Sequence, residues 1–421
     1  MLVEFRVANF RSMREEQVLS LVASKDAAQL KTNCVESGVK AVPHILRSGV
    51  VYGANASGKS NLIKAIQYMR GVVVESAALI QPGQTFSVQP FRLDSKSAEL
   101  PTTFEVTFLL DRVRYQYGFS ITSQRIVAEH LLVYKAFKPQ KWFERRFDEE
   151  TGKDVYEFGP ALKGQKNVWE VATRANSLFL SMAVQLNSDA LRPVFNWFQN
   201  QLVIINEVTP LTPQFSVEMI KNLSRKKEIC DFLVAADISI SDIDVITTKS
   251  SGQVLRFDLA VGKSEVATEE IEDNQIKFHH LTDAGAATFD LNEESSGTRN
   301  LFFLAGPILD ILEKGIVLVV DELDTSLHTL IVREIVRLFH DPQMNVAGSQ
   351  LIFTTHDTAL LDTFGLFRRD QIWFVEKDND QSSTLYSLLE FSPRKGEALE
   401  RNYLQGRYGG IPVFSHILGA S

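Results

Sequence analysis

The chain has 421 residues, 44% of them hydrophobic, and a net charge of −8, enough to bury a core of two to three domains or one elaborated domain. The acidic balance excludes a chain-wide positive field for nucleic acid, so any such contact falls to a local patch or a partner. No uninterrupted apolar run of about 18 residues occurs to span a membrane, the first residues lack the layout of a secretion signal, and Cys34 and Cys230 stand far apart without metal-ligand spacing, so a cytoplasmic protein is expected.

In chain order, residues 3–7 and 18–22 read as short strands around Asn9-Phe10-Arg11-Ser12, and 25–48 as a polar loop or short helix. An apolar strand at 49–52 runs into Gly53-Ala-Asn55-Ala-Ser57-Gly58-Lys59-Ser60, a complete G-x-x-x-x-G-K-S, followed by a helical pattern from Asn61. That strand–loop–helix context marks a phosphate-binding loop. Gly53 and Gly58 turn backbone N–H groups inward, with Asn55, Ser57 and Asn61 completing the cradle. The helix start aims its positive end at the phosphate, Lys59 reaches the β/γ oxygens, and Ser60 takes a place on Mg²⁺. The chain is expected to bind a nucleoside triphosphate.

A β-rich block follows at 102–110, 113–121 and 130–134, with a hairpin at 142–147 and 154–158. Helices are expected at 168–180 and 192–201 and a strand at 202–205. Two helical pieces at 217–237 surround the basic run 221–227, and 238–290 is read as strand and loop with an acidic loop at 265–273. The remainder alternates: helix 298–314, strand 316–320, helix 329–339, strand 350–354, then strands 371–376 and 384–389. No fixed-period repeat and no sustained heptad pattern is present.

The strand at 316–320 ends in Asp321-Glu322. Beside a P-loop, Asp321 is the metal-side acid and Glu322 the general base for an attacking water. The strand at 350–354 leads to His356, a candidate γ-phosphate sensor. Ser295-Ser296-Gly297-Thr298 opens the helix at 298–314 as a second anion cradle. One ATP needs two such cradles only when two chains sandwich it.

These motifs, in this order, resemble the ABC-type ATPases, closest to the soluble group that includes RecF, SMC and OLD proteins. The resemblance implies an α/β fold: a P-loop NTPase, ABC-type ATPase head, with an antiparallel β subdomain and a mixed β/helical insertion. Residues 1–80 and 285–421 would form the core, 81–165 the β-rich subdomain and 166–284 the insertion. Phe5-Arg-Val-Ala-Asn9-Phe10-Arg11-Ser12 resembles the group's first strand and turn, which would bring Arg11 near the phosphates. Glu294-Ser295-Ser296-Gly297-Thr298 resembles a variant signature, with Ser296 and Thr298 departing from its glycine and glutamine. Gln89 would supply the Q-loop, with Gln84 and Gln81 competing, and Asp324 falls in the D-loop region that contacts the opposite subunit.

Pro90-Phe-Arg-Leu-Asp94, Arg174-Ala-Asn-Ser-Leu-Phe-Leu-Ser181, Trp373-Phe-Val-Glu-Lys377 and Tyr403-Leu-Gln-Gly-Arg-Tyr-Gly-Gly410 are similar to stand-alone ATPases often called AAA-type. That subgroup implies ATP and Mg²⁺ as ligands, a homodimer or larger homo-oligomer, and a role in anti-phage or abortive-infection modules. It also implies a separate effector from a neighbouring gene, a nuclease of the RloB (TOPRIM-like) kind. The absence of heptads argues against an SMC-type arm. The short stretch after His356 argues against a TOPRIM domain, and Glu376-Lys-Asp378-Asn-Asp380 reads as a solvated turn. The alternatives are a RecF-like DNA-repair ATPase with DNA-stimulated hydrolysis, an ATP-gated nuclease and, least favoured, a transporter ATPase subunit. The basic runs 221–227 and 394–395 are candidates for nucleic-acid contact, though a solvated helix face suits each better.

Overall fold

The computed structural model describes residues 1–206, 212–258, 263–325, 327–362, 365–394 and 396–411. The chain divides into two compact units. The first comprises Met1–Thr209, Ile311–Thr325 and Val332–Ser421; the second comprises Pro210–Asp310 and Ser326–Ile331.

Among the described residues the first unit carries two large sheets and a two-stranded one, in which Cys34–Glu36 pairs with His44–Leu46 inside the stretch 25–48 expected as loop or short helix. A six-stranded sheet has the order Leu202–Ile205, Val317–Val320, Gln350–Thr354, Ser48–Gly53, Ile372–Lys377, Ser383–Ser387. It is parallel except for its last strand. Its central strands are buried along their full length, as continuous apolar runs covered on both faces should be. The second sheet has seven antiparallel strands in the order Lys153–Phe158, Gln140–Asp148, Ile126–Tyr134, Val113–Ile121, Thr102–Leu110, Leu2–Ala8, Gln17–Ser20. The β-rich block therefore shares one sheet with the first strands of the chain, pairing Leu2–Ala8 with Thr102–Leu110. The boundary expected at residue 80 does not separate these elements, because the pairing is long-range. Gln350 ties the sheets: its amide accepts from Leu2 N at 2.6 Å and donates to the Leu2 and Leu46 carbonyls, each at 2.9 Å.

The helix Lys59–Glu75 buries Leu62, Ile63, Ala65, Ile66, Met69, Val72 and Val73, one apolar stripe at helical spacing. Its far end is held by Arg174, whose Nη2 donates to the carbonyls of Ser76, Ala77 and Ile80 at 3.3, 3.1 and 2.8 Å. This contact bears on the expected helix 168–180, which is instead two helices, Lys166–Ala172 and Phe179–Gln185. Between them Asn176 donates to the Gln81 and Gln84 carbonyls, and Ser177 Oγ accepts from Arg174 N, so side-chain bonds displace the helical ladder. Buried Glu129 restarts the helix by accepting from Phe179 N at 2.6 Å and Leu180 N at 2.9 Å.

The second unit holds helices Gln214–Ile220 and Leu223–Ala235 and three antiparallel strands, Asp242–Asp258, Lys263–Thr282 and Gly285–Asp290. The acidic stretch 265–273, expected as a loop, lies inside the second strand, whose residues 263–279 pair with the first. The helix Ser296–Lys314 contains Pro307. Just before it, Ser216 Oγ donates to Phe302 O at 2.7 Å and accepts from Gly306 N at 3.2 Å, inserting a hydroxyl into one rung of the ladder. A side chain at Gly306 would collide with Ser216. Among the described residues no helix is long and apolar enough to cross a membrane.

Candidate nucleotide site

The ends of three adjacent parallel strands meet in the first unit. Ser48–Gly53 delivers the P-loop, Val317–Val320 delivers Asp321 and Glu322, and Gln350–Thr354 delivers His356. The loop takes its shape at Gly58, whose φ of +115° sits at the start of the helix. A Cβ there would run into the Ser383 and Ser12 hydroxyls, and one at Gly53 into Ser57 and the Val375 carbonyl.

Lys59 is buried and rests on the loop itself, donating to Gly53 O at 2.6 Å and Ala54 O at 3.1 Å. Burial pulls its ammonium below the usual lysine range, opposed by the negative charges of Glu322, Asp321 and Asp324. Asp321 Oδ1 accepts from the Thr354 hydroxyl at 2.7 Å, and the same hydroxyl accepts from Glu322 N at 2.7 Å. Glu322 has a φ of +53°. His356 Nε2 lies 3.6 Å from Glu322 Oε1, and His356 N donates to Asp324 Oδ2 at 3.2 Å. Asp324 is thus tied to the histidine loop of its own chain.

The turn after the first strand joins this site. Asn61 Nδ2 donates to Ser12 Oγ at 2.7 Å, and Ser383 Oγ lies 2.8 Å from Ser12 Oγ and 2.5 Å from Ser57 O. Arg11, with a φ of +52°, donates its backbone N–H to Gln89 O at 2.8 Å. Arg11, Ser12, Asn61 and Gln89 line one cavity of about 290 Å³ together with Lys377 and Gln381. The competing glutamines Gln81 and Gln84 do not line this cavity; their backbone carbonyls accept from Asn176. Sequence alone gives no site role to Ser12, Ser383 or Thr354; a hydroxyl at the end of an apolar strand is the available signal for Thr354.

A second cavity of about 360 Å³ lies between Gly53, Ala54, Asn55, His356 and the Tyr403–Ile411 region. There Tyr403 donates to Gly410 O at 2.9 Å, and the Tyr403 ring stacks on Phe374 with centroids 5.2 Å apart.

These residues fit a triphosphate with a divalent cation. The loop's glycines expose backbone, Lys59 and Asp321 supply the two charges such a ligand needs, and the Ser57 Oγ, Arg11 Nε and Asp324 Oδ1 atoms are buried without a hydrogen-bond partner among the described residues.

Ser295, Ser296 and Gly297 belong to the second unit. Ser295 and Ser296 are exposed, and Ser295 caps the helix by accepting from Thr298 N at 3.1 Å. The preceding Glu294 meets His280 Nε2 at 2.7 Å. In the basic run, Lys221, Arg225 and Lys226 pair with Glu218, Glu228 and Asp242 respectively. Lys395 lies outside the described residues. Glu376, Asp378 and Asp380 are engaged separately: by Tyr386, by the backbone of Ser382, and by Arg14.

Residues 50–362 match the family described as AAA domain, putative AbiEii toxin, Type IV TA system. No curated protein matches the chain. Among solved structures, it is similar to the SMC head domain from Thermotoga maritima, at 13% identity and a TM-score of 0.41 over 92% of this chain and 98% of that one. It is also similar to the Smc head domain with an extended coiled coil, bound to the C-terminal domain of ScpA, derived from Pyrococcus furiosus. There the identity is 13% and the TM-score 0.38, over 93% of this chain and 97% of that one. The family match runs from the P-loop strand past His356 and covers most of the chain, whose fold is that of an α/β P-loop NTPase; the protein belongs to this AAA-domain family.

Proposed function

We propose that the protein is an ATP-hydrolysing ATPase that closes as a homodimer around ATP and regulates a separate effector in anti-phage defence. The observation that supports this most is the convergence of Lys59, Asp321, Glu322 and His356 at three adjacent strand ends.

Lys59 exchanges the Gly53 and Ala54 carbonyls for β/γ-phosphate oxygens, and the loop N–H groups take the remaining negative charge. Ser60 and Asp321 hold Mg²⁺, which when bound neutralises charge developing on the phosphates. Glu322 accepts the proton of the attacking water, and His356 contacts the γ-phosphate. Ser295, Ser296 and Gly297 of a second copy close over that phosphate, since Ser295 and Ser296 open a long helix and face solvent in the single chain. Closure and reopening are the signal that the effector reads, and a nuclease-like product of a neighbouring gene is the expected partner.

Light scattering and phosphate release test this together. Wild type hydrolyses ATP, whereas Glu322→Gln loses about 100-fold or more in rate and doubles in mass with ATP. A variant that hydrolyses normally removes Glu322 as base; one that stays monomeric removes the sandwich. Retention of the neighbouring gene's product by the trapped dimer alone supports the effector, and indifference to ATP refutes it.

A further inference from the structure

We infer that Thr354 is a positioning residue of the ATP site, its single hydroxyl fixing the metal-side carboxylate of Asp321 and the backbone of Glu322 relative to each other. This rests on the ATPase reading above and goes beyond it, because Thr354 touches neither nucleotide nor water in that scheme.

Three successive N–H groups at the end of the strand Val317–Val320 show how the chain is held. Asp321 N donates to Ile205 O at 3.0 Å on one neighbouring strand, and Leu323 N to Thr354 O at 3.1 Å on the other. Between them Glu322 N has no ladder carbonyl and donates to Thr354 Oγ1 at 2.7 Å. Glu322 adopts a left-handed φ of +53°, which non-glycine residues rarely take and which therefore needs its surroundings to hold it. The hydroxyl that accepts from Glu322 gives its own proton to Asp321 Oδ1 at 2.7 Å.

A hydroxyl oxygen can do both from a single atom, accepting from an amide while donating to a carboxylate, which valine in its place cannot. Thr354 is fully buried, so water does not compete for either bond. One carboxylate oxygen of Asp321 is thereby fixed, which sets the plane of the group, and the turn that carries Glu322 is fixed by the same atom. Outer groups that orient a metal-binding carboxylate in this way are commonly worth about 10–100-fold in metal affinity or activity.

Thr354→Val keeps the shape and removes the hydroxyl; Thr354→Ser keeps the hydroxyl. The test is a Mg²⁺ titration of two readouts on the full chain: ATP hydrolysis and binding of a fluorescent ATP analogue. We expect Thr354→Val to need about 10-fold more Mg²⁺ for half-maximal binding and to lose about 10-fold or more in kcat with KM for ATP little changed, and Thr354→Ser to restore both. Wild-type Mg²⁺ dependence in Thr354→Val overturns the proposal. So does an equal defect in Thr354→Ser, which assigns the effect to packing. Should Thr354→Val not fold, Thr354→Ala against Thr354→Ser makes the same comparison. Absence of hydrolysis by wild type sinks the ATPase reading alone, because the Mg²⁺ dependence of analogue binding still decides the role of Thr354.

Discussion

His356 and Glu322 face each other at 3.6 Å, imidazole Nε2 to carboxylate Oε1, each side chain about half exposed at the tip of its strand. At that distance they make no close hydrogen bond to each other. Among the described residues the nearest side-chain donor to Glu322 is the Thr325 hydroxyl at 3.5 Å, a long contact that a third group between the strand ends can replace. A γ-phosphate with its attacking water is a group of the right chemistry for an acid and an imidazole together.

For His356→Ala, steady-state kinetics should show kcat lowered about 100-fold, with ATP affinity within a few-fold of wild type. Binding measured by equilibrium fluorescence separates the two quantities. A large affinity loss with unchanged kcat would make His356 a binding residue and not a sensor.

Gly58→Ala should cost about 1–3 kcal/mol of stability and remove ATP binding. The φ of +115° is unavailable to alanine, and the new methyl would push against Ser383 and Ser12, the two hydroxyls that clasp the loop. Denaturant unfolding and an ATP-induced melting shift measure the two effects; wild-type values in both would show that the loop tolerates a different backbone.

Beneath the P-loop strand lies a titratable group of a different kind. His340 is buried against Ser48 Oγ, 2.8 Å from its Nε2, and accepts from Gln371 Nε2 at 3.2 Å. Burial, with Arg47 adding to it, pulls its pKa down to about 3 from 6.5. The folded chain therefore holds a neutral ring where the unfolded chain takes up a proton. Stability from this group is complete above pH 6.5 and is lost as pH falls from there toward 3. Between pH 6.5 and 5 that amounts to about 2 kcal/mol. Denaturant midpoints at pH 7 and pH 5 should differ in this sense, and His340→Gln should flatten the difference. An unchanged slope in the variant would place the proton uptake elsewhere.

What could be read from sequence alone follows from how far apart in the chain the partners lie. Gly53 to Ser60 form their loop from local rules of conformation, and Asp321 and His356 stand out because an apolar strand ends at a charge. Ser383 reaches Ser57 O only after the final hairpin of the parallel sheet, Ile372–Lys377 with Ser383–Ser387, returns across the loop, and no local pattern in that hairpin announces it. The broken helix around Asn176 is similar: 168–180 has helical character, but the carbonyls that outcompete the ladder belong to Gln81 and Gln84. Arg11 and Gln89 meet through the backbone of a turn, a pairing that spacing does not encode.

The Ser12–Ser57–Ser383 clasp also bears on the order in which the protein becomes competent during synthesis. The P-loop emerges from the ribosome early, but its outer wall is supplied by residues made more than three hundred positions later. A nascent chain arrested before Ser383 carries every residue of the loop and lacks what holds it. Nucleotide affinity should therefore arise late in translation, and a chain released prematurely would not reach the state that a full-length copy uses to bind ATP.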